Sequence, residues 1–156
     1  MNLDIHVHSK YSHGCNLSLN TIKKVYGNKE ITPIITDHDT ITGNLKFKCK
    51  FIAEEITTKD GEILGLFLNE YVKPLQSYEE TYDEIRKQDG LILVPHPFDR
   101  LRRKVLKKFK PKPDIIEVFN SRNIFNSENK KALDFANKNN YLKSVGSDAH
   151  TIFETC

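Results

Sequence analysis

Short β-rich runs alternating with helix-patterned segments predict an α/β fold on a largely parallel sheet, either open or closed into a small barrel. Apolar runs such as LILV and PIIT read as strands covered on both faces, as a parallel sheet requires. All six histidines fall at or just beyond the C-terminal end of a predicted strand, the rim where α/β folds build their sites. The 156 residues favour one domain, spanning 1–156. A chain of that length buries roughly 70% of its unfolded surface and so has a proper core.

The elements follow in order. LDIHV (3–7) is a first strand, and a polar turn leads to a helix over 18–26. PIIT (33–36) is the second strand, followed by a short helical or turn segment. KFIAEEI (50–56) and EILGLFL (62–68), joined through Lys59, Asp60 and Gly61, form a hairpin that adds one strand to the repeat. A helix over 77–88 stops at Asp89-Gly90, a good helix-end signal. LILV (91–94) is the next strand. An amphipathic basic helix then covers 100–112, because Leu101, Val105, Leu106 and Phe109 recur near helical spacing. DIIEVF (114–119) is a strand, 128–139 a helix, and KSVG (143–146) the last strand.

The charged share is 29% and Trp is absent, a balance that excludes a disordered tail, a collagen-like repeat and a disulfide-rich mini-protein. No apolar run approaches the ~18 residues of a membrane span, and the N-terminus lacks a signal-peptide core, so a soluble cytoplasmic protein without membrane contact is expected. The net charge of +3 conceals an asymmetry. The segment RLRRKVLKKFKPK, from Arg100 to Lys112, holds eight basic residues and no acidic one, while the remainder carries −5. This segment is a solvated helix face, a rim attracting phosphate or nucleic acid, or both. Cys15, Cys49 and Cys156 form no CxxC pair, so neither a disulfide framework nor a zinc finger is expected.

His6 and His8 share one face of the first strand, since side chains two apart point the same way. His13 lies in the adjoining loop, His38 in TDHD, His96 in PHP and His150 in SDAH. Glu55 stands near the end of the third strand, and Asp148 precedes His150 by two. One histidine in a loop means little, but six gathered on one rim would repel if protonated and gain most from a shared divalent cation. Imidazole with carboxylate suits Zn²⁺, Fe²⁺ or Mn²⁺. Eight donors exceed the needs of one ion, so a cluster of two or three is expected, with phosphate esters as natural substrates. No Ser-His-Asp set, GxSxG turn or phosphate-cradling glycine loop offers a competing chemistry.

DIHVHSKYSHG, TDHDTITG, AEEIT, VPHPFDR, EVFNSRN and GSDAH, in this order, closely resemble the polymerase and histidinol phosphatase (PHP) family from Asp4 to His150. The resemblance implies a distorted (β/α)7 TIM-like barrel with a di- or trinuclear metal cluster at its C-terminal rim. It implies that His6, His8, Glu55 and Asp148 bind one ion, and that Glu55 bridges to a second ion also held by His96. His13, His38 and His150 would hold the third. Arg100 is implied as a phosphate contact; Asn120 and Arg122 lie where they could line the pocket, with a structural role standing beside this for Asn120. Family members often carry a histidine at the start of the hairpin strand, where this sequence has Glu62. Glu62 either substitutes as an oxygen ligand, shifting the site toward Mn²⁺ or Mg²⁺, or faces solvent. Family chains usually continue past SDAH, so the barrel is expected either to be minimal and open at the C-terminus, with an edge favouring association, or to be cut short in this sequence.

The function expected is a metal-dependent phosphoesterase using a metal-activated hydroxide on a small phosphomonoester, a nucleotide or a nucleic-acid end. Two other classes stand beside it: an amidohydrolase-type C–N hydrolase, and an inactive PHP-like module serving as a subunit of an RNA- or DNA-processing assembly.

Overall fold

β1 (Asn2–Val7) alternates exposed and buried positions until its last two residues, both buried, where the chain turns toward the core. The computed structural model describes residues 2–101 and 104–155. After β1 come α1 (Leu19–Tyr26), β2 (Ile31–Ile35), α2 (Thr42–Phe47), β3 (Ile52–Thr57), β4 (Glu62–Leu68), α3 (Tyr78–Lys87), β5 (Leu91–Val94), β6 (Ile115–Asn120), α4 (Asn126–Lys138) and β7 (Leu142–Gly146). Local chemistry sets the helix boundaries. Ser18 accepts from the Thr21 N–H to start α1. Ser77 and Glu80 form a reciprocal capping box on α3, which also has acids in its first turn and Arg86 and Lys87 in its last.

The seven strands fall into two sheets, β1-β2 and β3-β4-β5-β6-β7. β1-β2, β5-β6 and β6-β7 pair in parallel, whereas β4 runs antiparallel to both β3 and β5. The strands follow one another in chain order, and the two sheets meet where the ends of β1 and β3 bridge residues that follow β7 and β2. Val7 bridges Ala149, and His38 bridges Glu55. His8 N–H donates to the Ala149 carbonyl at 3.0 Å, and Asp148 N–H donates to the His6 carbonyl at 2.7 Å. Among the described residues the ladder does not close into a continuous barrel, because the two sheets join only at this rim. The apolar core fills both sides of the strands. Ile56, Ile63, Ile85, Ile92 and Ile116 form one cluster, and Val7, Ile22, Tyr26 and Ile35 another. Phe119, Leu142 and Val145 on β6 and β7 stay exposed. No helix among the described residues is long and apolar enough to cross a membrane.

The helix expected over 100–112 is absent from the described parts of that segment, 100–101 and 104–112. Arg102 and Arg103 lie outside the described residues. Two physical causes oppose it. A helix would stack like charges one turn apart with no acid to relieve them. The segment also finds tertiary partners instead: the Glu62 N–H donates to the Lys104 carbonyl at 2.7 Å, and Leu106 is buried in the core. Gly61 (φ +147°) makes this approach feasible, since a Cβ there would lie 2.5 Å from the Leu106 backbone.

Asp4 ties β1 to β7 across the gap between the sheets. Its buried carboxylate accepts from Tyr26 Oη at 2.7 Å and from the Ser147 N–H at 3.0 Å. Asp4→Ala strands both donors and should cost about 3 kcal/mol, lowering Tm by roughly 6–12 °C in a thermal melt. A drop under ~2 °C would mean that the tie contributes little.

Candidate metal centre

The rim gathers its donors from five strand ends. His6 and His8 come from β1 and the residue just beyond it, His38 follows β2, Glu55 lies on β3, His96 follows β5, and Asp148 and His150 follow β7. His6, His8, His96, Glu55 and Asp148 are buried, while His38 and His150 are partly exposed. β7 can pass this close because Gly146 has no side chain. A Cβ there would lie 2.5 Å from both His6 Cβ and Glu117 Oε1. His96 and Asp148 adopt positive φ, at 31° and 55°. Such strain at non-glycine residues persists only where the surroundings over-determine it, and it concentrates at functional sites.

Glu55 is the hub. Its Oε2 lies 3.3 Å from His6 Nε2, 3.1 Å from His8 Nε2 and 3.3 Å from His38 Nδ1, and its Oε1 lies 3.4 Å from His96 Nε2. Asp148 Oδ1 stands 3.6 Å from His6 Nε2, 3.4 Å from His8 Nε2 and 3.4 Å from His150 Nδ1. The rings of His8 and His150 are 4.1 Å apart and those of His8 and His38 4.6 Å. Three sets of donor atoms are close enough to hold an ion: His6, His8 and Asp148; His6, Glu55 and His96; and His8, His38 and His150.

The electrostatics split the imidazoles. Burial acts to lower the pKa of His6, but Asp148, Glu117 and Glu55 override it and raise the value well above normal. Burial opposes protonation of His8 too, yet the nearby carboxylates of Asp148 and Glu55 raise it. For His38 burial prevails and the pKa falls; for His150 burial and the neighbouring His8 push it down to about 4. Glu55 is held well below the usual carboxylate range: burial opposes this, but His38 and His6 outweigh it. Neutral His38 and His150 therefore present lone pairs, while the acidic neighbours of His6 and His8 favour a cation between them.

The structure brings together seven of the eight expected ligands and leaves out His13. That residue is exposed and belongs to none of the three donor sets. The turn points Ser12 inward instead. Ser12 Oγ accepts from the His38 N–H at 2.9 Å and lies 3.1 Å from His8 Nδ1. His8 takes the place expected for His13 beside His38 and His150. Glu62 is buried, its Oε1 3.9 Å from His38 Nδ1, on the wall of a cavity of about 230 Å³. Arg122 lines the same cavity, its Nη1 2.9 Å from His150 Nδ1 and 3.6 Å from Asp148 Oδ1. Arg100 turns elsewhere: its Nε donates to Glu128 Oε1 at 3.1 Å and its guanidinium lies over Phe125. Asn120 is structural, donating to Glu117 Oε2 and Asp148 Oδ2.

Sequence reasoning missed Glu117. This buried acid on β6 lies 2.9 Å from His6 Nδ1 through Oε1, and accepts from the His96 N–H at 2.8 Å through Oε2. The available signal was a lone acid inside the apolar run IIEVF. Asp37 was missed as well; it accepts from the Ser9 N–H and hydroxyl and steadies the loop after β1.

Fold and site together define an α/β protein with a histidine–carboxylate centre at its strand ends. Residues 126–154 match the family profile described as PHP-associated. The chain is 39% identical over 163 aligned residues to an uncharacterized protein of Methanocaldococcus jannaschii, covering 99% of this chain and 67% of that protein. It is 38% identical over 141 residues to a second uncharacterized protein of that organism, covering 78% of this chain and 82% of that one. The chain belongs to the PHP family.

Solved structures share the fold at low identity. One is a candidate metal-dependent phosphoesterase from Bifidobacterium adolescentis (TM-score 0.78, 15% identity, 97% of this chain and 88% of that one). Another is a two-domain protein from Bacteroides vulgatus containing a predicted PHP-like metal-dependent phosphoesterase (0.76, 18%, 99% and 53%). A third is an amidohydrolase from Chromobacterium violaceum with bound sulfate and no metal (0.71, 15%, 96% and 88%).

Proposed function

We propose that this chain is a metal-dependent phosphoesterase that hydrolyses phosphate esters at a centre of two or three divalent ions. The observation that carries this reading is the convergence of three donor sets on one buried hub, Glu55. The donors fit such ions on a second count. His8 Nε2, His38 Nδ1 and Glu55 Oε1 are buried at the centre without a hydrogen-bond partner among the described residues, a costly state that a cation relieves. His6, His8 and Asp148 would hold one ion, His6, Glu55 and His96 a second, and His8, His38 and His150 a third. Nitrogen with carboxylate oxygen suits Zn²⁺, Mn²⁺ or Fe²⁺, and Glu62 on the wall would extend the range toward Mg²⁺. When bound, the ions would supply a water nucleophile of lowered pKa and neutralise charge on phosphate oxygens.

The chain's own residues do the rest. Glu117 holds His6 by Nδ1, so that Nε2 faces the centre. Arg122 presents a charged donor at the cavity wall for a phosphate oxygen. The family fold would be completed as a distorted barrel whose ladder is interrupted between the two sheets.

Glu117→Gln removes the charged partner of His6 and should weaken metal binding about 10–100-fold, read by calorimetric titration of Mn²⁺ into metal-free protein. Unchanged affinity would remove Glu117 from the account. The reading as a whole is tested by phosphate release from aryl phosphate, nucleotides, histidinol phosphate and short oligonucleotides, with Mn²⁺ or with EDTA. Release that needs Mn²⁺ is the expected result. No release with any divalent metal would leave the centre as a binding or structural feature of an inactive module.

A further inference from the structure

The segment expected to form a basic helix builds one wall of a cleft. Lys104, Lys107, Lys108 and Lys110 line a depression of about 590 Å³ together with Lys59 from the β3–β4 turn. Its two acidic lining residues are Asp60 and Glu79, and Asp60 already accepts from the Tyr78 N–H at 2.8 Å to cap α3. Five lysines against two carboxylates give the lining of the cleft a net positive charge.

The cleft adjoins the metal centre. Lys104 belongs to the cleft, and its Nζ lies 3.6 Å from Glu62 Oε1, which is 3.9 Å from His38 Nδ1. Close packing of Leu106 against the Gly61 turn keeps the lysine segment at this end of β4. A ligand spanning both places must carry more than one phosphate.

We propose that the lysine cleft binds phosphates flanking the scissile one in a single-stranded oligonucleotide whose reacting phosphate lies at the metal centre. The location of the reacting phosphate rests on the phosphoesterase reading; the affinity of the cleft does not. Its volume is that of a small-molecule site, which suits a flexible strand of one or two nucleotides rather than a duplex. Among the described residues no stacking platform lines it: the Tyr78 ring is buried and its hydroxyl donates to the Pro111 carbonyl at 2.8 Å. Recognition is therefore through the backbone, salt-dependent and nearly indifferent to base.

The test uses the full chain and a short fluorescein-labelled oligothymidylate, with EDTA present so that metal contributes nothing. Anisotropy titrations over a series of salt concentrations compare the wild-type chain with three variants, the folding of each verified by thermal melts. Lys107→Ala with Lys108→Ala should weaken binding at least tenfold at low salt. It should also reduce the log–log salt slope by about 1.4, from ~0.7 per lost phosphate contact. Lys59→Ala, from the facing wall, should reduce the slope by about 0.7. Lys23→Ala with Lys24→Ala, an equal charge change on α1, should change affinity less than twofold. Equal losses in the two double variants, or none in either, would overturn the proposal. Lysine-dependent binding without Mn²⁺-dependent hydrolysis would retain the cleft and retire the phosphoesterase reading. Aryl phosphate hydrolysis without lysine-dependent binding would do the reverse.

Discussion

Glu55→Gln is expected to lower kcat/KM for phosphate-ester hydrolysis by about 10³-fold, equivalent to roughly 4 kcal/mol of transition-state stabilisation. The size follows from its position. One buried carboxylate faces four imidazoles within 3.4 Å, and its charge is what holds them around a common point. Glutamine keeps the shape but loses the charge, and its amide nitrogen turns a donor toward nitrogens needed as ligands. Metal content should fall with activity, while circular dichroism stays native. A variant with full metal content and activity would show that the hub is not where the ions are held.

Removing metal is the second large effect. Ions that bind the folded protein and not the unfolded chain stabilise it by about 4 kcal/mol at a thousandfold excess over Kd. For a chain of this size that corresponds to roughly 8–16 °C in Tm. Differential scanning fluorimetry should show such a rise on adding Mn²⁺ or Zn²⁺ to EDTA-stripped protein. Asp4→Ala, whose site is a structural tie, should keep the same increment above its lower baseline. The Glu55→Gln variant should lose most of it. An identical melting curve with and without metal would contradict a centre built on buried donors.

Much of this site was legible because its residues carry rare chemistry at strand ends. The HxH spacing placed His6 and His8 on one face, and LILV and IIEVF located β5 and β6 by apolar runs alone. The antiparallel hairpin of β3 and β4 was signalled by its glycine turn. What failed depended on tertiary partners. Leu106 and Phe109 carried a helical period, but the burial of Leu106 beside Gly61 and repulsion among the lysines favour an irregular path. Arg100 looked free to meet phosphate until α4 supplied Glu128. His13 was expected beside His38 and His150 by its type alone, but the turn points Ser12 inward and leaves His13 exposed, outside the three donor sets. Glu117 was hidden because its role depends on a histidine far away in sequence.

The central claim is most directly tested by elemental analysis of chain incubated with excess Mn²⁺ or Zn²⁺ and freed of unbound metal, with a His6→Ala, His8→Ala variant in parallel. The account predicts two or three ions per wild-type chain and at most one in the variant, because His6 and His8 between them take part in all three donor sets. Fewer than one ion in the wild type, or equal content in both proteins, would contradict it.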